Sequence, residues 1–482
     1  MWFENFVFKT FKYHLSLISI MSIFRAYDVR GIYPDELDEE LAYKIGRAFV
    51  TFLNSEEFKN GLEKQGFSKT FLNVKQVVVS QDMRTSGKSL KASLIKGITD
   101  QGADVIAIDG FCSTPKHYFA AYSLKAPASI MVTASHNPGQ YNGFKFTRDN
   151  AIAISGDTGI KDIEKLVIEN KFEDVSSKGK IIKKDVTDDY KKYLLKFIEP
   201  SKVRPMKIVI DAGNGTGGRE LELVLDKLPL DVIKMYFEPD GTFPNHEANP
   251  LLDENVVDIK KKILEENADF GIAPDGDSDR VFFFDENGER ISGDFMTALI
   301  AEKMLEKNPG AKIIYDLRSS WVTAEYIKKA GGIPIMWRVG HAFIKDKMRE
   351  IDAILGGEVS CHFYMKDNFN TDSGIIAALR VIQIFSEKNK KVSDIIKPLK
   401  KYSASGEINS KVEDKEAKMK ELASKYKDGN ISWLDGVRID FEDWWFNVRP
   451  SNTEPLLRLN LEAKSKELME EKRDEVLNLI RD

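Results

Sequence analysis

Cysteine is nearly absent from this chain. Among its 482 residues there are two, Cys112 and Cys361, and they lie far apart. Such a pair makes no disulfide framework and no cysteine-rich zinc site, and it fits a reducing compartment such as the cytoplasm. An excess of positive charge is also missing. The formal net charge of -5 gives a nucleic-acid partner no support and requires any anion site to be local. A membrane-spanning run is lacking too. The aromatic opening "MWFENFVFKTFKYHLSLISI" is broken by Lys9, Lys12 and His14, too soon to cross a bilayer, and it carries no small-residue cleavage signal. Met21 then opens a second start, "MSIFRAYDVRG", so residues 1–21 read as a tail or a mis-assigned start.

What is present is length and repetition. A chain of this size is too long for one core. Three stretches share one pattern: "VKQVVVSQDMRTSG" from Val74, "MKIVIDAGNGTGG" from Met206 and "AKIIYDLRSS" from Ala311. Each is a β-branched run, an Asp, a Gly- or Ser-rich turn, then helical sequence, the mark of a buried strand in a mostly parallel sheet. A second strand follows each one: "ASIMVTASHNPG" from Ala128, "ADFGIAPDGDSDR" from Ala268 and "IDAILGGEVSCHF" from Ile351. These predict three related α/β domains over 22–180, 181–288 and 289–400, each with one chemically loaded loop at the carboxyl end of a strand. The remainder, 401–482, mixes short strands with amphipathic helices and predicts a smaller α+β domain.

Four loops carry chemistry. In "PDGDSDR", Asp275, Asp277 and Asp279 can converge on one hard cation if the backbone turns. An EF-hand is excluded, because its sixth loop position would be Arg280 rather than Gly. In "VTASHNPGQYNGFKF", Ser135 adjoins His136, with Lys145 downstream. There is no G-x-S-x-G elbow, so an acyl nucleophile lacks support. A phosphorylated Ser135 would instead supply the phosphate oxygen that a three-carboxylate Mg²⁺ site prefers, with Lys145 and Arg280 offsetting the charge. In "RPSNTEP", Arg449, Ser451, Asn452 and Thr453 form a candidate phosphate nest. In "GGEVSCH", Glu358 and Ser360 can bind vicinal sugar hydroxyls, and His362 can join them or shuttle a proton.

Taken in order, "FRAYDVRG", "TASHNP…NGFKF", "PDGDSDR", "RVGHAFIK", "GGEVSCH" and "RPSNTEP" resemble the α-D-phosphohexomutase family, in its phosphomannomutase/phosphoglucomutase branch. The resemblance covers nearly all of residues 22–482. It implies four domains around a central cleft, with Ser135 as the phosphoserine. It implies Mg²⁺ held by Asp275, Asp277, Asp279 and the Ser135 phosphate. Arg30, His136, Lys145 and Arg280 would surround the transferring group, with His341 and His362 near the sugar. Glu358 and Ser360 would read the sugar, and Arg449, Ser451, Asn452 and Thr453 would hold the phosphate that stays. The implied activity interconverts hexose 1- and 6-phosphates through a hexose 1,6-bisphosphate, which also phosphorylates the enzyme. Its partners are small sugar phosphates, without nucleic acid or membrane, and its assembly is left open.

Two positions depart from the family pattern: Cys361 stands where Gly is usual, and Arg318 where Lys is common. Rival readings are a phosphoglucosamine mutase, a metal-dependent sugar-phosphate phosphatase, and a non-catalytic Ca²⁺-binding or sugar-phosphate-sensing protein.

Overall fold

The structure is a computed structural model and describes residues 23–56, 58–59, 74–173, 175–451 and 456–482. The expectation for residues 1–21 therefore lies outside the described residues, as do Asn452 and Thr453. The chain divides into two compact units, one running to Phe284 with Thr371–Ser386, the other Asp285–Asn370 with Glu387–Asp482.

The first unit holds two sheets. In the first, Gln76–Gln81 lies between Asp104–Ile108 and Ala128–Val132, parallel to both. Ile181–Lys184 extends the parallel side. Tyr141–Arg148 returns antiparallel beside Ala128–Val132, with Val29–Ile32 antiparallel beyond it. The second sheet repeats this plan. Met206–Asp211 lies between Leu230–Met235 and Phe270–Pro274, parallel to both, and Val281–Phe284 returns antiparallel. Their central strands are β-branched and buried on both faces (Val77, Val78 and Val79 in one, Ile208, Val209 and Ile210 in the other), as a helix-covered parallel sheet requires.

Helices Glu39–Leu53 and Gly87–Asp100 pack on the first sheet. They meet at Gly46 and Gly97, where a Cβ on Gly97 would stand 2.1 Å from the Tyr43 carbonyl oxygen. Only glycine permits that approach. The core beneath them collects Val77, Val79, Val105, Ile130, Val132, Phe144 and Phe146.

The second unit repeats the plan a third time. Lys312–Asp316 is parallel to Ile333–Trp337 and to Leu355–Gly357, and Phe363–Met365 returns antiparallel. The C-terminal sheet is antiparallel throughout: Val437–Asp440, Trp444–Pro450 and Leu456–Ala463 are neighbours, with Ile408–Lys411 on the far side of Leu456–Ala463. Helices Lys415–Lys425 and Lys466–Arg481 contribute Met419, Leu422, Met469 and Val476 to its core. The three α/β sheets expected from the repeats are present, as is the α+β domain expected from the remainder of the chain. Among the described residues, no helix is long and apolar enough to cross a membrane.

One feature recurs at each loaded loop. "TASHNPGQ", "DGDSDR" and "EVSCH" each join the last parallel strand to its antiparallel neighbour. They are hairpin connections, not strand-to-helix turns. A hairpin keeps both ends of a loop hydrogen-bonded to one sheet, which fixes polar side chains more firmly than a long crossover would.

Candidate active site

Ser135 leaves the buried strand Ala128–Val132 in a left-handed conformation, φ 54°, and is 2% exposed. A serine held there costs on the order of 1–3 kcal/mol, so its surroundings must impose it. Arg84 does so. This arginine, 1% exposed, donates to the carbonyls of Ser135 (2.9 Å), Asn137 (2.5 Å), Pro138 (2.8 Å) and Tyr141 (2.8 Å). Asp82 supports it from behind: its Oδ1 accepts from the Arg84 amide at 3.0 Å and its Oδ2 from Thr133 Oγ1 at 2.6 Å. Thr133 Oγ1 in turn accepts from the Ser135 amide at 2.9 Å. Arg30 reaches the same loop, donating to Ala134 O at 3.1 Å and Asn137 Oδ1 at 2.8 Å, while Asp28 Oδ2 takes its Nε at 2.8 Å.

The acidic turn meets this loop within the same unit. Gly276 would place a Cβ 2.6 Å from Ser135 O, so a larger residue would drive the two loops apart. Asp275, Asp277 and Asp279 are buried, and each presents a carboxylate oxygen within 4.8 Å of the others. Lys145 Nζ sits 2.6 Å from both Asp277 Oδ2 and Asp279 Oδ2. Arg280 Nε donates to Asp275 Oδ2 at 2.9 Å. Burial alone would lower the Lys145 pKa, but Asp277 and Asp279 outweigh it and hold the ammonium well above its usual range. Arg280 is likewise raised against its burial by Asp275, Asp279 and Asp277. The helix Thr114–Ser123 aims its N-terminus here: the Thr114 amide donates to Asp277 O at 2.9 Å, and Thr114 Oγ1 to Asp277 Oδ2 at 2.5 Å, adding a positive dipole end.

These residues fit a divalent cation. The donors are all carboxylate oxygens, the set hard cations select. Asp277 Oδ1 is buried with no hydrogen-bond partner among the described residues, and such an atom ordinarily requires one.

Ser135 Oγ stands at the rim of this cluster. It donates to Asp275 Oδ2 at 3.1 Å, lies 3.2 Å from His136 Nδ1 and accepts from Arg280 Nη2 at 3.4 Å. His136 Nδ1 also accepts from Arg280 Nη2. A cation therefore faces the nitrogen that a hydrolase base would need free. The hydroxyl borders groups that suit a phosphate: the Arg280 guanidinium and a cation-ready acidic turn that also holds the Lys145 ammonium.

The second unit gathers the other expected residues. Glu358 is 2% exposed. Its Oε1 accepts from the Gly340 amide at 3.1 Å and its Oε2 from Tyr364 Oη at 2.5 Å. Glu358 and Ser360 lie in the hairpin turn between Leu355–Gly357 and Phe363–Met365, and Cys361 takes a left-handed φ of 67°. The cysteine at the position where the family favours glycine thus sits where glycine would be unstrained. His341 opens the helix His341–Ile351, its ring centroid 6.4 Å from that of His362. Arg318 forks onto Asp316, with Nη2 2.7 Å from Oδ2, and its Nη2 also lies 4.0 Å from Glu358 Oε1. Arg449 is on the strand Trp444–Pro450, not in a loop, with Ser451 next and buried.

Sequence reasoning missed Asp82, Arg84, Thr133 and Thr114. The only signal for the first two was "DMR" directly after a buried strand. It also missed Glu407, an acid beside Arg449 that is marked only by its place before a short strand.

Sequence models of the phosphoglucomutase/phosphomannomutase family match the chain in order. The alpha/beta/alpha domains I, II and III match residues 21–174, 188–288 and 292–402, and the C-terminal domain matches 407–479. A phosphomannomutase of Vibrio cholerae serotype O1 is 43% identical over 471 residues, covering 96% of this chain and 98% of that protein. A protein of Xanthomonas campestris pv. campestris named phosphohexose mutases is 40% identical over 466 residues, covering 95% and 99%. Among solved structures, a phosphoglucomutase/phosphomannomutase family protein of Burkholderia thailandensis superposes with a TM-score of 0.83 at 33% identity, covering 95% of this chain and 96% of that one.

Proposed function

Because the chain belongs to the phosphoglucomutase/phosphomannomutase family, we propose that it interconverts hexose 1-phosphates and hexose 6-phosphates, with mannose and glucose phosphates as substrates. Ser135 carries the phosphoryl group. In the first step the bond from phosphorus to Ser135 Oγ breaks as a bond to the free hydroxyl of the hexose phosphate forms. The product is hexose 1,6-bisphosphate, and the same compound loads Ser135 at the start. In the second step the bisphosphate's other phosphate returns to Ser135. The proton given up by the attacking hydroxyl is matched by the one the departing sugar oxygen takes up.

The observation that carries this reading is Ser135 Oγ, 3.1 Å from Asp275 Oδ2 at the rim of three convergent carboxylates. Asp275, Asp277, Asp279 and the Ser135 phosphate would hold Mg²⁺, which when bound neutralises charge on the transferring oxygens. Arg30, His136, Lys145 and Arg280 orient the phosphate of Ser135 and stabilise its charge. Glu358 and Ser360 bind sugar hydroxyls, flanked by His341 and His362. Arg449, Ser451, Asn452 and Thr453 hold the phosphate that is not being transferred. The two buried, free cysteines suit work in the cytoplasm.

Turnover of mannose 1-phosphate, glucose 1-phosphate and glucosamine 1-phosphate tests the proposal, with Mg²⁺ and catalytic glucose 1,6-bisphosphate present. The first two should convert to 6-phosphates, and excess chelator should stop them. Conversion of glucosamine 1-phosphate alone, or inorganic phosphate as the main product, would refute it.

A further inference from the structure

Arg449 and Arg458 are paired partners on neighbouring strands of the C-terminal sheet. Two guanidinium groups directly opposite one another repel. Glu407 answers both: its Oε2 accepts from Arg449 Nη2 at 3.0 Å and its Oε1 from Arg458 Nη1 at 3.2 Å. The glutamate directly precedes the strand Ile408–Lys411, whose Ile408 is in register with Leu459. A third guanidinium joins from the neighbouring domain of the same unit, Arg318 Nη1 lying 3.9 Å from Glu407 Oε2. Burial would raise the Glu407 pKa, but Arg449, Arg318 and Arg458 outweigh it and lower it, so the side chain is a carboxylate at neutral pH.

This arrangement sets up a competition. Arg449 is proposed above to bind a phosphate, yet its Nη2 already holds a carboxylate. An entering phosphate must either displace Glu407 or sit beside its charge.

We propose that Glu407 is an exchange anion, which holds Arg449 and Arg458 while the phosphate is away and yields them when it arrives. The inference rests on the reading of Arg449 given above. A mutase needs such a group more than a one-step enzyme does. Its bisphosphate must leave the anchoring arginine, turn round and bind again before the second transfer. Bare, half-buried arginines would grip the intermediate and slow that turn. A carboxylate already at hand lowers the barrier to release, because the cations are not left unpaired. It also weakens ground-state binding, which favours turnover over retention. Glu407 touches no reacting atom, so it is a positioning residue.

The test is Glu407→Gln, which keeps the shape and removes the charge, read by steady-state kinetics with glucose 1-phosphate and by inhibition with inorganic phosphate. KM and the phosphate inhibition constant should both fall about tenfold, the weight of one charge-assisted contact. kcat should fall with them, and less free bisphosphate should escape during turnover. Glu407→Asp, which retains the charge, should lie nearer wild type in both constants. The inference is overturned if KM does not fall, if kcat does not fall with it, or if the Asp variant matches the Gln variant. Arg449→Ala separates this failure from failure of the parent reading. Unchanged KM for both glucose 1- and 6-phosphate in that variant would remove Arg449 from the phosphate site. Weakened KM there, without tightening in Glu407→Gln, would reject the exchange role alone.

Discussion

Arg84 shows what a single residue does for a loop that cannot hold itself. Its bonds run to the carbonyls of Ser135, Asn137, Pro138 and Tyr141, so it sets the position of Ser135 without touching its hydroxyl. Arg84→Lys keeps the charge but loses the planar fork. We expect kcat to fall roughly 10–100-fold, since misplacing a reacting group by about an ångström costs that much. KM should change little, because the residues proposed to bind the sugar are elsewhere. Steady-state kinetics, with the phosphorylated fraction of Ser135 read by intact mass, checks this; equal loss in KM and kcat would contradict it. The contrast with Ser135 and Asp275 explains what was legible. Each of those residues sits in a compact motif whose own side chains suggest a chemistry, so it stands out in the sequence. Arg84 acts through backbone carbonyls across 51 to 57 positions of sequence, and no side-chain pattern encodes such partners.

A polar chain runs through the apolar interior of the first sheet. His117, on the helix Thr114–Ser123, is fully buried. Its Nδ1 bonds Ser80 on one strand, and its Nε2 lies 2.9 Å from Ser129 Oγ on the next. Ser129 in turn bonds Thr147 on the antiparallel return strand at 2.5 Å. Burial, with Lys145 and Lys91, pulls the His117 pKa down to about 3. Folded His117 is therefore neutral, whereas the unfolded chain takes up a proton below its ordinary value of about 6.5. Its contribution to stability is full above that value and is lost as pH falls towards 3, at up to about 1.4 kcal/mol per pH unit. Urea unfolding between pH 7.5 and 5 should show this slope, flattened in His117→Gln by up to one proton. An identical slope in the variant would mean that His117 is not held neutral. The two strands were readable from "VKQVVVSQD" and "ASIMVTAS"; the cross-link was not, because a serine inside a strand looks like any small residue until its neighbours are known.

Across the whole molecule, repetition made the fold legible. A β-branched run, an Asp and a Gly- or Ser-rich turn recur three times, and each occurrence becomes the central strand of a sheet with the same order. What the sequence did not disclose was that each sheet's last parallel strand is followed by an antiparallel return. "YNGFKFTR" mixes polar and apolar residues and reads as loop, yet it forms the strand Tyr141–Arg148 because Ala128–Val132 offers it a hydrogen-bonding edge. That return makes each loaded loop a hairpin, and it puts Lys145 against the acidic turn. Legibility of the candidate phosphate loop was also partial, since Arg449 proved to be a strand residue opposite Arg458. Ser135 is proposed to pass its phosphate to a sugar and not to water. The direct measurement is a single turnover: enzyme carrying labelled phosphate on Ser135, mixed with unlabelled mannose 1-phosphate and Mg²⁺, quenched and resolved by product. A phosphoserine mutase puts the label on carbon 6 of the bisphosphate and the 6-phosphate, with Ser135→Ala taking up no label at the start. Label appearing as inorganic phosphate, or remaining on the protein while mannose 6-phosphate forms, would contradict it.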